Sequence, residues 1–450
     1  MVRRAIVTVV AAAAALAGPA AHAAEQRPVV TVYTQDLGFV HEWRTLSLAA
    51  AADTVRIADI PARIDVASVR LQTAVGRVGR LAYRYDVESG DGLFDRARGS
   101  KVRVTMRGDK IVEGTLLSSD GMWVMVRETD GGVRTLSRTS IDDVRFPEPP
   151  KRLFTRPMLE AVIEGGRKGD VPAELSYLTG GLSWSAEHSL VRTGENTGTW
   201  ATSVTVDNST GRDYTGVTLK LIAGNPSRTQ ATPAPQMMRA TMVADGAMAK
   251  GGGLSEEAFA DYHLYTLDGP ATLRDRETQS LSMLETRPVQ LTPRYFYRGW
   301  EGRGVRTQLE LVNEKEKGLG VPLPGGRVRV FAPDAGNDLQ FAGETTMEHI
   351  ATGEKFTLDV GQAFDLVGER RETANKRISD REREVSVEIK LRNRKKVATT
   401  IVVEEMTSGD TDIIAKSRDF VRKDANTVQF TVPVPAGQEV IVTYTMRNRY

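Results

Sequence analysis

YLTGGLSWSAEHSLV, Tyr177 to Val191, sets three serines, a glutamate and a histidine beside a Gly-Gly pair. The same letters spell either a hydrolase nucleophile or one strand of a sheet. A hydrolase elbow needs Gly-x-Ser-x-Gly, because its serine sits on a strained turn that neighbouring backbone approaches closely. Gly181-Leu182-Ser183-Trp184-Ser185 lacks the second glycine. Period two organises the stretch instead. Leu182, Trp184, Ala186, His188 and Leu190 share one face, and Ser183, Ser185, Glu187 and Ser189 share the other. Ser183 and His188 then point apart, whereas a nucleophile and its base must lie within hydrogen-bond reach. The stretch reads as a strand whose core face carries Trp184.

The same alternation fills most of the chain, and few windows hold a helical stripe. The expected class is all-β and multidomain: β-sandwich, immunoglobulin-like modules plus one small SH3-like or Sm-like barrel. Residues 24–95, with VVTVYTQDLGFVHEWRTLSL and DTVRIADIPARIDVASVRLQ, form a small N-terminal β domain. In 96–147, Gly108-Asp109, Asp120-Gly121 and Asp130-Gly131-Gly132 are hairpin signals spaced as in a small barrel. Residues 156–379 carry longer strands of a sandwich domain, interrupted at 226–256 by a Pro, Ala, Met and Gly mixture without period, expected to be a flexible loop. Residues 380–450 read as a C-terminal immunoglobulin-like sandwich. There Val385, Val387, Ile389 and Leu391 alternate, and Val397, Thr399, Ile401 and Val403 alternate back as a hairpin. Val428 to Val432 with Val440 to Met446 form a second hairpin.

At the N-terminus, MVRR, the run AIVTVVAAAAALAGPA and the AHA of Ala21 to Ala23 have the form of a signal peptide, residues 1–23. Export is expected, to the periplasm or the medium. The chain has no cysteine, so it carries neither disulfides nor the residue that lipoproteins acylate. No later stretch is apolar enough to span a bilayer as a helix. Lys and Arg total 60 and Asp and Glu 58. Removing Arg3 and Arg4 with the signal leaves 58 against 58, so no overall excess of positive charge marks a nucleic-acid binder. The last strand, EVIVTYTMRNRY, resembles the terminal strand of an outer-membrane barrel. Aromatic residues at 6%, charged residues at 26% and prolines at 433 and 435 favour a sandwich.

His41, His188, His263 and His349 form no short-spaced pair, so no zinc signature is present. Asp334 and Asp338 in PDAGND, and Asp410 and Asp412 in SGDTD, are acidic enough for calcium, but their spacing is that of turns. Glu187, Glu310 and Asp359 are read as solvated strand positions. Gly251-Gly252-Gly253 precedes no helix and so makes no phosphate loop. No catalytic, cofactor-binding or metal-binding residue is assigned, and no cofactor is expected.

Several of these stretches resemble one bacterial family. YLTGGLSWSAEHSLV, VTVDNSTGRDYTGVTLKLIAGNPSR, YHLYTLDGPATLRDRETQSLSML, PLPGGRVRVFAPDAGNDLQFAGE and GQAFDLVGER follow the order and spacing of the domain of unknown function 4139 family, some of whose members are called mucoidy-inhibitor-A-like. The resemblance covers about residues 156–450. IPARIDVASVRL resembles the small N-terminal domain common in that family. It implies an exported β-rich protein with no established activity. The chain lacks the long heptad region usual between the two domains and has the small barrel in its place. The expected role is therefore non-enzymatic: binding or scaffolding a protein or polymer partner of the cell envelope. The alternative is an envelope-polymer hydrolase with a site assembled from distant loops.

Overall fold

The computed structural model of the protein describes residues 27–87, 90–150, 153–224, 254–259, 262–407 and 410–449. The signal segment 1–23 and most of the loop expected at 226–256 lie outside the described residues. The end of that loop differs from expectation, since Leu254–Phe259 is already a strand paired with Tyr262–Leu267. Among the described residues the chain is all-β: its helices are Gly90–Arg96 and three single-turn 3-10 segments.

Leu182–Arg192 is a strand, and its burial alternates as the parity requires, with Leu182, Trp184, Ala186, His188 and Leu190 inside. It lies at the centre of a five-stranded sheet, antiparallel to Thr197–Asn208 and parallel to Gly326–Pro333. Glu277–Gln290 and Leu339–Met347 complete the edges. The inner face of this one strand serves two cores. Trp184 and Ala186 pack with Leu175, Tyr177, Leu219 and Leu221, whereas Leu190 packs with Trp200, Leu309, Val328 and Phe356. His188 sits between them along the strand.

The first core is covered by a large sheet in which the N-terminal strands are interleaved with later ones. Val29–Tyr33 lies between Gly38–Leu48 and Tyr214–Ala223, parallel to the latter. Val30, Thr31 and Val32 are all buried, as expected of a strand enclosed on both faces. Residues 24–95 thus supply strands to sheets they share with residues 158–223, rather than a sheet of their own. Alternation fixes which face of a strand is apolar and leaves its partner open, so this sharing is not written in the local pattern. A buried ion pair locks the join: Glu42 receives Arg212 on both oxygens, at 3.1 and 2.8 Å, and Arg44 at 3.0 Å. With the Glu42 side chain 2% exposed, removal of Glu42 leaves both Arg212 and Arg44 without their counter-ion.

The small module is an insertion. Arg77–Arg84 and Met158–Glu164 pair directly with one another, and the chain between them leaves and returns at one neck. Asp86 closes that neck, exchanging its backbone N–H with the Phe154 carbonyl and its carboxylate with the Phe154 N–H and Arg96. Five strands follow: Lys101–Met106, Lys110–Ser119, Trp123–Glu128, Val133–Ser137 and Ile141–Arg145. The fifth pairs with the first, giving the order fifth, first, second, third, fourth around Val102, Val104, Leu116, Val124 and Val126. The expected barrel is not closed by hydrogen bonds. A 3-10 turn at Arg138–Ser140 carries the chain from one edge to the other, and the fourth and fifth strands do not pair.

The C-terminal sandwich starts well before residue 380. Tyr297, Val305 and Leu366 share its core with Val387, Ile401, Phe430 and Tyr444. Its two expected hairpins are also absent. Glu382–Asn393 pairs with Lys355–Ser379 and Glu439–Arg449, while Thr399–Met406 pairs with Thr292–Arg298 and Thr427–Val434. Consecutive strands therefore arch across the core instead of lying side by side. Both arrangements bury the same alternate residues, so the sequence pattern fits either. The last strand has neighbours on both edges and turns Val442, Tyr444 and Met446 into this core.

Candidate functional site

The 25-residue strand Lys355–Ser379 belongs to both layers of the C-terminal sandwich. Its first part pairs with Gly304–Val312 and its second with Glu382–Asn393, so it must turn a corner between them. The corner falls in GQAFDLVGER. Val305 faces Ala363, yet its neighbour Gly304 faces Val367, which leaves Phe364, Asp365 and Leu366 outside that ladder as a bulge. A glycine permits it locally: Gly361 has a φ of 115°, which side chains disfavour. The bulge is pinned from the other side by Arg394, whose backbone N–H donates to the Asp365 carbonyl at 2.8 Å.

The bulge sends its two apolar side chains in opposite directions. Leu366 is 1% exposed and anchors the corner in the core. Phe364 is 96% exposed. It stands in an open cleft of about 650 Å³ that is also lined by Arg303, Gln362, Arg392 and Arg394. Arg303 and Arg392 converge on one oxygen of Glu369, at 3.0 and 2.9 Å. Arg394 is exposed and makes no ion pair among the described residues. An aromatic face free of protein contact beside guanidinium groups suits a ligand with both an apolar or sugar-like surface and negative charge. Corner bulges serve geometry as well as function, but Phe364, unlike Leu366, adds no burial to this corner.

The residues singled out in the sequence occupy other places. His188 is buried and forms a chain of hydrogen bonds: the Trp200 indole N–H donates to the Thr202 hydroxyl at 3.0 Å, that hydroxyl lies 2.9 Å from His188 Nδ1, and Nε2–H donates to the Pro324 carbonyl at 3.0 Å. Burial pushes the imidazole down to about 4, the Pro324 carbonyl offsetting part of the shift. Ser183 lies on the opposite face of that strand. Trp184 is buried and donates to the Ile222 carbonyl at 3.1 Å. His41 pairs with Glu174 at 2.7 Å, and His349 accepts the Gly325 N–H.

Asp334 closes a turn on the N–H groups of Gly336 and Asp338, and the Asp338 N–H, the Gln340 amide and the Gly336 N–H hold its carboxyl below the usual range. Asp410 and Asp412 both pair with Arg449, at 3.2 and 3.1 Å. Glu187, Glu310 and Asp359 are not simply solvated: each is paired, with Arg329, Lys355 and Arg306 respectively. Among the described residues no three His, Asp or Glu side chains converge on a metal-sized site, and no helix is long and apolar enough to cross a membrane. The Gly251 to Gly253 run lies outside the described residues. Phe364 and its arginines were not legible beforehand. Phe364 and Leu366 have the same parity, so regular alternation assigns them one face; only the bulge separates them.

Fold and cleft together define the class: an all-β protein of sandwiches sharing strands, with an aromatic and three arginines presented at a sandwich corner. The chain belongs to the family described as domain of unknown function DUF4139, whose model matches residues 173–450. The cleft lies within that span, and the small module and most N-terminal strands precede it. No curated protein matches the chain.

Proposed function

We propose that the protein is exported and acts without catalysis, binding or scaffolding a partner of the cell envelope through the Phe364 cleft. The observation that carries this reading is a phenylalanine 96% exposed on a bulge whose other apolar residue is buried. Burying such a side chain is worth about 1.5–3 kcal/mol, so its place outside the core is a cost that a partner can recover. The guanidinium groups of Arg303, Arg392 and Arg394 add polar recognition around it.

The test is co-sedimentation of the mature protein with purified envelope fractions, comparing wild type with Phe364→Ala and Arg394→Glu. Retention of the wild type with at least tenfold weaker retention of both variants is expected. Equal retention of all three places binding elsewhere. Turnover of envelope polymer by the wild type, with release of soluble fragments, replaces the reading with the hydrolase one.

A further inference from the structure

The small module has a concavity of its own, about 450 Å³, on the outer face of its sheet. Register places its charges. Lys101 faces Thr115, which faces Arg127, so one row across three strands begins and ends on a cation. In the adjacent row Arg145 faces Arg103, which faces Glu113. These side chains share one face because Val102, Val104 and Val126 alternate with them into the core.

The acidic residues of the lining are already matched. Glu113 pairs with Arg103 at 3.5 Å, and Glu128 with Arg134 at 2.8 Å. Lys101, Arg127 and Arg145 are exposed, line the concavity, and make no ion pair among the described residues. Each of the module's other ion pairs involves different residues. Three like charges around one concavity repel each other, and that repulsion is relieved by an anion in it.

We propose that this concavity binds a small organic anion carrying two or more carboxylate or phosphate groups. Its volume is in the range of small-molecule sites. Arginines at 127 and 145 supply planar forks that match either oxyanion. The site is a closed patch rather than a stripe, and Glu113 and Glu128 line it, which opposes an extended polyanion such as a nucleic acid. It shares no lining residue with the Phe364 cleft and lies outside the span shared with the family.

Isothermal titration of the full mature chain with citrate, with tripolyphosphate and with a single-stranded oligonucleotide at low ionic strength tests the proposal. One saturable equivalent of citrate or tripolyphosphate is expected, the preferred probe assigning the carboxylate or phosphate class. Binding should weaken at least tenfold in Arg127→Gln/Arg145→Gln and in Lys101→Gln. All three cations are exposed, so the variants should keep the wild-type unfolding midpoint, which the same samples report. No saturable binding of either small anion, binding insensitive to these substitutions, or tighter binding of the oligonucleotide at the same residues overturns it.

Discussion

Burial decides the protonation of His188, the residue that made the Tyr177 to Val191 stretch look catalytic. Its neutral ring accepts from Thr202 and donates to Pro324, and the charged ring would have to be held in the same water-excluded core. The folded-state value of about 4 is below the 6.5 of an unperturbed histidine. Between those values the unfolded chain takes up a proton that the folded one does not. The stabilisation is therefore full above pH 6.5 and is lost as pH falls toward 4, by about 1.4 kcal/mol per unit and about 3 kcal/mol in all. Urea denaturation across that range should show wild-type stability falling by about this much more than that of His188→Asn. If the variant does not fold, an NMR titration of His188 answers the same question: a ring that titrates near 6.5 in the folded protein refutes the assignment.

At the scale of the element, strand identity was readable and strand pairing was not. Leu182–Arg192 has the burial that its alternation requires. The strands around Val385 to Leu391 and Ile401 to Val403 also exist, but they face each other across a core rather than along a ladder. Close packing at the corner strand yields a prediction. Gly368 has ordinary backbone geometry, so alanine there would by chain entropy alone stabilise by about 0.4–1 kcal/mol. A Cβ at that position, however, would overlap the ring of Tyr297, which is fully buried. Overpacking should win, and Gly368→Ala should lower stability by about 1–3 kcal/mol, read as a lower denaturant midpoint at unchanged slope. An unchanged or raised midpoint would show that Tyr297 has room to give.

For the whole molecule, the inserted module is separable and the N-terminal strands are not. Asp86 and Phe154 bond across the neck, and Arg84 faces Met158 directly below it. Replacing residues 87–153 with a short Gly-Ser turn should therefore leave the remaining chain folded, with its unfolding midpoint close to that of the full protein. Loss of cooperative unfolding would mean that the module completes a core beyond its neck. Deleting the segment before Gly38 is a different matter, because it removes a strand from between two others.

The sequence by itself determined the all-β class, the faces of its regular strands and the family. Each of these is carried by residues close together: alternation is a property of the pleated backbone over a few residues, and turn chemistry of two or three. Only the tertiary structure decided which strands pair, where the sandwich turns its corner, and which charges are left over. Glu404 meets Arg298 across 106 positions of sequence, and Glu42 meets Arg212 across 170. No local pattern encodes such partners, because they are selected by packing over the whole core. Phe364 and Leu366 share a parity and a hydrophobic character. One is buried and the other exposed because three residues bulge where the strand leaves one layer for the next.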